Sequence, residues 1–129
     1  MKSVVLCGST RFKSEMRVFG ADLKKLGVTV LEPYLYSPSE EEWNALSDEH
    51  RRYIELGLTH DHFYKVNIAD VVFIYNQGGY CGNSTTLEIG CAVAMAKPIY
   101  ALSDDTEELS RSVLFRAITK TPEELLQYL

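Results

Sequence analysis

Basic residues are in deficit in this chain: 13 Lys and Arg stand against 18 Asp and Glu in 129 residues, a formal charge of -5. A face that neutralises a phosphate backbone needs a local surplus of Lys and Arg, so a nucleic-acid polymer is not an expected partner. Long apolar runs are missing too. The N-terminal run stops at Gly8, too early for a secretory signal, and residues 89–96 fall far short of the ~20 residues of a membrane span. A membrane partner is therefore not expected, and a soluble cytoplasmic protein is. The cysteines Cys7, Cys81 and Cys91 form no CxxC pair and no metal-ligand spacing, which favours reduced thiols over a disulfide framework. No lysine-bearing phosphate loop and no full GxGxxG pattern occur, so ATP chemistry is not expected and no cofactor is called for. Without internal repeats or low-complexity linkers, and with 46% hydrophobic content, residues 1–129 read as one globular domain with a core of its own.

What is present centres on one strand, turn and helix. Asp70-Val71-Val72-Phe73-Ile74-Tyr75 is a near-continuous apolar run of β-branched and aromatic residues, the pattern of a buried parallel strand. A short helix follows from about Ser84, rich in Ala and Leu, and cannot continue past Lys97-Pro98. Between them, Gly78-Gly79-Tyr80-Cys81-Gly82-Asn83-Ser84 is a glycine-rich turn. Its backbone N–H groups and the polar side chains Asn83 and Ser84 suit an anionic or polar ligand at a helix N-terminus.

The other elements alternate. Ser3-Val4-Val5-Leu6-Cys7 reads as a strand, and residues 13–26 carry Met16, Phe19, Leu23 and Leu26 at helical spacing up to a C-terminal Gly27. Val28-Thr29-Val30-Leu31 is a second strand, completing a βαβ unit whose strands should be parallel. Glu40-Glu41-Glu42 looks like the acidic first turn of a helix capped by Ser37 or Ser39. Tyr34, Tyr36 and Trp43 nearby suit either core packing or stacking on a flat ligand. Residues 48–67 form a helix with Tyr53, Leu56, His60, Phe63 and Asn67 roughly on one face and Gly57 as a possible kink. Residues 98–102 make a fourth strand, Ser103-Asp104-Asp105-Thr106 caps a short helix through Leu109, residues 112–118 offer a fifth strand, and residues 122–129 a terminal helix with Pro122 at its first position. The fold expected is α/β: a single-domain three-layer sandwich with a five-stranded, mostly parallel sheet of flavodoxin- or Rossmann-like order 2-1-3-4-5. In such a sheet the binding crevice lies beyond the carboxyl ends of strands 1 and 3, so Gly8-Ser9-Thr10-Arg11 and the turn containing Gly79 should converge there.

Two readings of the chemistry stay open on pattern alone. Thr85-Thr86-Leu87-Glu88 satisfies the capping-box pattern, in which Glu88 bonds back to the N-cap and does no chemistry. The alternative is a carboxylate nucleophile that attacks an anomeric carbon and forms a covalent sugar ester. His60 and His62 are two apart on a helix and point to different sides, which argues against their sharing a metal ion; Asp61 or His62 suits an acid/base or sugar-contacting role better. Gly8-Ser9-Thr10-Arg11 can cradle a phosphate, or be an N-cap followed by a surface arginine.

The segments Val5-Leu6-Cys7-Gly8-Ser9-Thr10-Arg11, Ala69-Asp70-Val71-Val72-Phe73 and Gly82-Asn83-Ser84-Thr85-Thr86-Leu87-Glu88-Ile89-Gly90 together resemble the nucleoside 2-deoxyribosyltransferase-like superfamily. That group contains base-exchanging deoxyribosyltransferases and hydrolases of the N-glycosidic bond of nucleoside 5′-monophosphates. The resemblance implies that Glu88 is the nucleophile, that Gly8, Ser9, Thr10 and Arg11 hold a 5′-phosphate with Asn83 or Ser84 as a second contact, and that Asp61, His62 or Asp70 orients the sugar or moves a proton. It also implies a small-molecule nucleoside or nucleotide partner and a homodimer or higher oligomer, for which Gly90, Ala92, Ala94 and Ala96 would allow close helix packing. The family's sugar-contacting aspartate falls on His62 here, and the base-facing carboxylate of the transferases falls on Gly82. With the short chain, these departures favour a hydrolase. The reading from another class is a nucleotide-binding or sensing module that uses the same crevice without turnover.

Overall fold

The computed structural model describes residues 1–34 and 36–129. Five parallel strands lie in the order β2-β1-β3-β4-β5, with β1 at Val4–Gly8, β2 at Val30–Leu31, β3 at Val71–Tyr75, β4 at Ile99–Ala101 and β5 at Ala117–Ile118. The central pair runs in register from Val4 beside Val71 to Gly8 beside Tyr75, so the ends of β1 and β3 finish level. Strand residues alternate between two apolar layers, as the period of two requires. Val4, Leu6, Val71 and Phe73 face helix α1 (Lys13–Lys25), meeting Met16, Phe19 and Leu23, and Leu125 of α6 (Pro122–Leu126) joins the same layer. Phe19 stacks flat on Phe73 with ring centroids 4.6 Å apart. Val5, Cys7, Val72 and Ile74 face the other way, toward Val66 of α3 (Asp48–Ile68) and Ile89 and Ala92 of α4 (Asn83–Ala94). The architecture is a three-layer α/β sandwich.

Local chemistry sets the helix starts. Ser39 caps α2 (Glu40–Ala45) by accepting from the Glu42 amide, Ser47 caps α3 by accepting from that of His50, and Thr121 caps α6 by accepting from that of Glu124. The acidic run of residues 40–42 is the first turn of α2, where the helix dipole favours it.

Several expectations are corrected. Residues 109–112 are a helical turn, α5 (Leu109–Ser112), and only Ala117 and Ile118 pair as strand. The cause is a set of side-chain bonds: buried Asp105 accepts from the Glu107 and Glu108 amides and from Arg111, while Ser112 donates to Asp104, which folds this segment back on itself. β2 is two residues long, α6 stops at Leu126, and α3 runs through Gly57 as one helix. The inward stripe of α3 is His62 and Val66, with Leu58 and Phe63 half-buried; Tyr53, Leu56, His60 and Asn67 face outward. Of the small residues on and after α4, only Ala92 enters the core, and Gly90, Ala94 and Ala96 are exposed.

Candidate active site

A cleft of about 510 Å³ opens beyond the carboxyl ends of β1 and β3, a size ordinary for a small-molecule site. One wall is the turn after β1, with Gly8, Ser9 and Thr10; another is the start of α4, with Gly82, Asn83, Ser84, Thr85 and Glu88. The face of α3 contributes His62 and Phe63, and the loop before α2 contributes Tyr34, Tyr36 and Pro38, with Trp43 behind. Tyr36 and Trp43 meet edge to face at 6.2 Å, a ready flank for a flat ring.

Gly8 must be glycine for the walls to close. A Cβ there would lie 2.8 Å from the Tyr75 carbonyl oxygen and 3.2 Å from the Met16 sulfur. Ser9 accepts from the Arg11 amide at 3.2 Å and so caps a 3-10 turn over Thr10–Phe12. At the opposite wall α4 begins at Asn83, with Gly82 as its N-cap and no side chain bonded to the first amides. Those amides lack intrahelical partners in any α-helix, and here they border the cleft.

Glu88 lies in the second turn of α4, six residues past the N-cap. The capping-box reading of residues 85–88 is thereby overturned: Thr85 is inside the helix and buried, and Glu88 is too far along to reach the N-cap amide. A helix start near Ser84 with Glu88 in the first turn, as the capping box requires, is corrected by the same shift. The side chain is 14% exposed, lines the cleft, and holds Oε2 3.4 Å from Nε2 of His62. That nitrogen in turn lies 3.1 Å from Sγ of Cys7. Buried Oε2 of Glu88 and Nδ1 of His62 carry no hydrogen bond. Burial pushes the Cys7 thiol well above its ordinary range, and the negative charge of nearby Glu88 adds to the rise. Cys7 therefore stays a neutral S–H and is no nucleophile.

The other expected site residues divide. Gly8, Ser9, Thr10, Asn83, Ser84 and His62 line the cleft with Glu88. Arg11 does not: its guanidinium lies over the Tyr80 ring, 3.6 Å from the centroid, outside the lining. Asp61 is next to His62 in sequence but turned elsewhere, paired with Lys65 at 2.6 Å. Asp70 precedes β3 and sits at the far end of the sheet, accepting from the Ser3 amide and hydroxyl at 2.8 and 3.0 Å, and the Ser3 bonds hold its carboxyl below the ordinary range. Gly79 is buried with φ +83°, and a Cβ there would lie 2.8 Å from the Asp104 carbonyl oxygen, so it serves the packing of the loop. Among the described residues no Lys or Arg lines the cleft, and Glu55 joins Glu88 as a second carboxylate. Sequence reading missed Cys7 and Glu55. Alternation along β1 is the signal for Cys7, because Val5 and Cys7 must face the α3–α4 layer if Val4 and Leu6 face α1.

No family model matches the chain, and no curated protein matches it. Solved structures do. A CMP N-glycosidase, BcmB, from Clostridium botulinum aligns over 98% of this chain and 97% of its own at 20% identity, with a TM-score of 0.56. A 2-deoxyribosyltransferase from Bacillus psychrosaccharolyticus aligns over 98% and 92% at 18% identity, with a TM-score of 0.60. This chain has their fold. A conserved protein from Enterococcus faecalis V583 shares it as well, at 18% identity and a TM-score of 0.63 over 98% and 96% of the two chains.

Proposed function

We propose that this protein is a member of the nucleoside 2-deoxyribosyltransferase-like superfamily that breaks the N-glycosidic bond of a nucleoside or nucleoside 5′-monophosphate through a covalent sugar ester on Glu88. One observation carries the reading: Glu88 is a cleft-lining carboxylate free of any capping duty, held beside an imidazole at the carboxyl end of the sheet. The fold shared with a CMP N-glycosidase and a 2-deoxyribosyltransferase supports it.

In this mechanism a Glu88 oxygen attacks C1′ of the sugar. The C1′–N bond breaks, its electron pair leaves with the base, and the base takes a proton from solvent in the open cleft. Water then attacks C1′ of the ester, freeing the sugar, losing a proton to solvent and restoring the carboxylate. His62 orients Glu88 through the 3.4 Å contact. The base lies against Tyr34, Tyr36 and Trp43, and a 5′-phosphate, when present, meets the first amides of α4 with Asn83, Ser84 and the Gly8-Ser9-Thr10 turn. Hydrolysis is favoured over base exchange because Gly82 stands where the transferases carry a base-facing carboxylate.

The protein acts as a homodimer or higher oligomer in this reading, since Tyr53, Leu56 and Tyr64 of α3 and Leu87 of α4 are exposed apolar side chains and Gly90 is exposed on α4. Sedimentation at the mass of a monomer would remove that part. Free thiols at Cys7, Cys81 and Cys91 suit the reducing cytoplasm. No helix among the described residues is long and apolar enough to cross a membrane.

The test is release of free base, followed by chromatography, from ribo- and deoxyribonucleosides and their 5′-monophosphates, with and without a second base. Glu88→Gln should lower the rate by at least about 10³-fold, or ~4 kcal/mol of transition-state stabilisation. Full activity in that variant would end the covalent mechanism. No release from any substrate, with tight binding of one of them, would establish a binding module instead.

A further inference from the structure

Cys7, His62 and Glu88 come from three elements, the end of β1, the middle of α3 and the second turn of α4, and their donor atoms all lie within 4.8 Å of one another. From this cluster we infer a binding site for a thiophilic divalent cation of the Zn²⁺ class. A tetrahedral zinc ion with bonds of about 2.0–2.3 Å places its nitrogen, oxygen and sulfur ligands roughly 3.3–3.6 Å apart. The spacings here are 3.1 Å from Cys7 Sγ to His62 Nε2 and 3.4 Å from that nitrogen to Glu88 Oε2. The third pair, Cys7 Sγ and the Glu88 carboxylate, lies within 4.8 Å, so side-chain adjustment draws the three ligands around one ion. The fourth position opens on the cleft, which His62 and Glu88 line and through which an ion enters.

A second observation points to a cation. Glu88 Oε2 is buried without a hydrogen bond, and among the described residues no Lys or Arg lines the cleft to neutralise it. A buried carboxylate oxygen that accepts no hydrogen bond and meets the His62 ring nitrogen only at 3.4 Å is costly, and a dication offsets that cost directly. Charge balances as well: the ion displaces the Cys7 proton to solvent, and thiolate, neutral imidazole and carboxylate together cancel the charge of two. The mixed sulfur, nitrogen and oxygen set selects Zn²⁺, and Co²⁺ as its spectroscopic substitute, over Mg²⁺ and Ca²⁺, which demand oxygen ligands. Nδ1 of His62 has no acceptor to orient the ring, unlike the histidines of tight structural sites, so affinity falls below theirs.

The binding claim stands apart from the glycosidic reading; only its consequence rests on that reading. With the ion in place, the Glu88 lone pair is committed to the metal and cannot attack C1′, so occupancy inhibits turnover reversibly.

The experiment titrates chelator-dialysed protein with Co²⁺ and follows thiolate-to-metal charge transfer in the near ultraviolet and the visible bands of tetrahedral cobalt. One equivalent should saturate the bands and Zn²⁺ should abolish them by displacement. Cys7→Ser should lose the charge-transfer band, His62→Ala and Glu88→Gln should weaken affinity at least about tenfold, and Cys91→Ser and Cys81→Ser should bind as wild type does. No band in wild type, or a band that survives Cys7→Ser, overturns the site. Should Cys7→Ser fail to fold, unchanged affinity in His62→Ala overturns it alone. In the base-release assay Zn²⁺ should inhibit over the range in which it fills the site, with recovery on adding EDTA. Cobalt binding without base release would defeat only the glycosidic reading. Base release without cobalt binding would defeat only the metal site.

Discussion

Alanine at Gly79 should cost about 3 kcal/mol of folding stability, and alanine at the adjacent Gly78 about 1 kcal/mol. Both residues have positive φ, +83° and +67°, a region where a Cβ costs roughly 1–2 kcal/mol. Alanine also lowers the entropy of the unfolded chain, which offsets about 0.5 kcal/mol of that. Nothing lies within 4 Å of a Cβ added at Gly78, so strain is the whole effect there. At Gly79 the added atom would lie 2.8 Å from the Asp104 carbonyl oxygen, and backbone cannot swing aside as a flexible side chain would. The loop after β4 is pinned by Asn76, which donates to the Ser103 carbonyl at 2.7 Å and accepts from its amide at 2.9 Å. Pushing it away adds an overpacking cost of roughly 1–3 kcal/mol. For a chain of this size the melting temperature should fall by roughly 12 °C at Gly79 and 4 °C at Gly78. Urea titration of both variants, with equal slopes, measures the difference. Equal losses at the two positions would refute the close approach. A Gly79→Ala protein that kept its stability and changed KM would return the residue to the ligand-contact role its place in the turn implied.

Arg11→Ala should leave the ratio of kcat/KM for a nucleoside 5′-monophosphate and its nucleoside within about twofold of wild type, because the guanidinium rests on Tyr80 rather than in the cleft. A selective tenfold loss with the monophosphate would place it on the phosphate after all. Asp105→Asn should destabilise by about 3 kcal/mol, since it leaves the part-buried Arg111, now 2.5 Å from the carboxylate, without its countercharge. Burial alone would raise the Asp105 carboxyl, but Arg111 and the Glu108 and Glu107 amides outweigh it and hold the group below its ordinary range. A depressed carboxyl stabilises the fold fully above its unfolded pKa of about 3.9 and loses that contribution as pH falls through the lower folded value. Wild type should therefore lose stability in acid below about pH 4 more steeply than Asp105→Asn, and parallel denaturation curves from neutral to acid pH would contradict the pairing.

The order of elements was legible because it rests on local signals. Apolar runs marked β1 and β3, the spacing of Met16, Phe19 and Leu23 marked α1, and Pro122 after Thr121 marked α6. Strand alternation with helices then led to the order 2-1-3-4-5, and that order put the cleft where it is found. Pattern misled where side-chain bonds or the backbone of a neighbouring residue outweighed it. Residues 112–118 read as a strand, yet only Ala117 and Ile118 pair, and the bonds of Asp105 to Arg111 and of Ser112 to Asp104 draw the preceding residues into a helical turn. Thr85-Thr86-Leu87-Glu88 carries a capping box, yet α4 starts two residues before that motif because Gly82, with its extended backbone, takes the N-cap.

The sequence by itself determined that strands and helices alternate, that acidic residues outnumber basic ones, and that a glycine-rich turn leads into a helix bearing Glu88. Only the tertiary structure decided which side chains meet Glu88. Cys7 and His62 are 55 residues apart and touch because the register of β1 against β3 and the rotation of α3 on the sheet aim both at one point. The same rotation turns Asp61, one residue away, to Lys65, and the strand direction sends Asp70 to the opposite end of the sheet. Periodicity tells which residues share a face of one element. Which faces meet depends on packing among elements distant in sequence, and no local pattern encodes that.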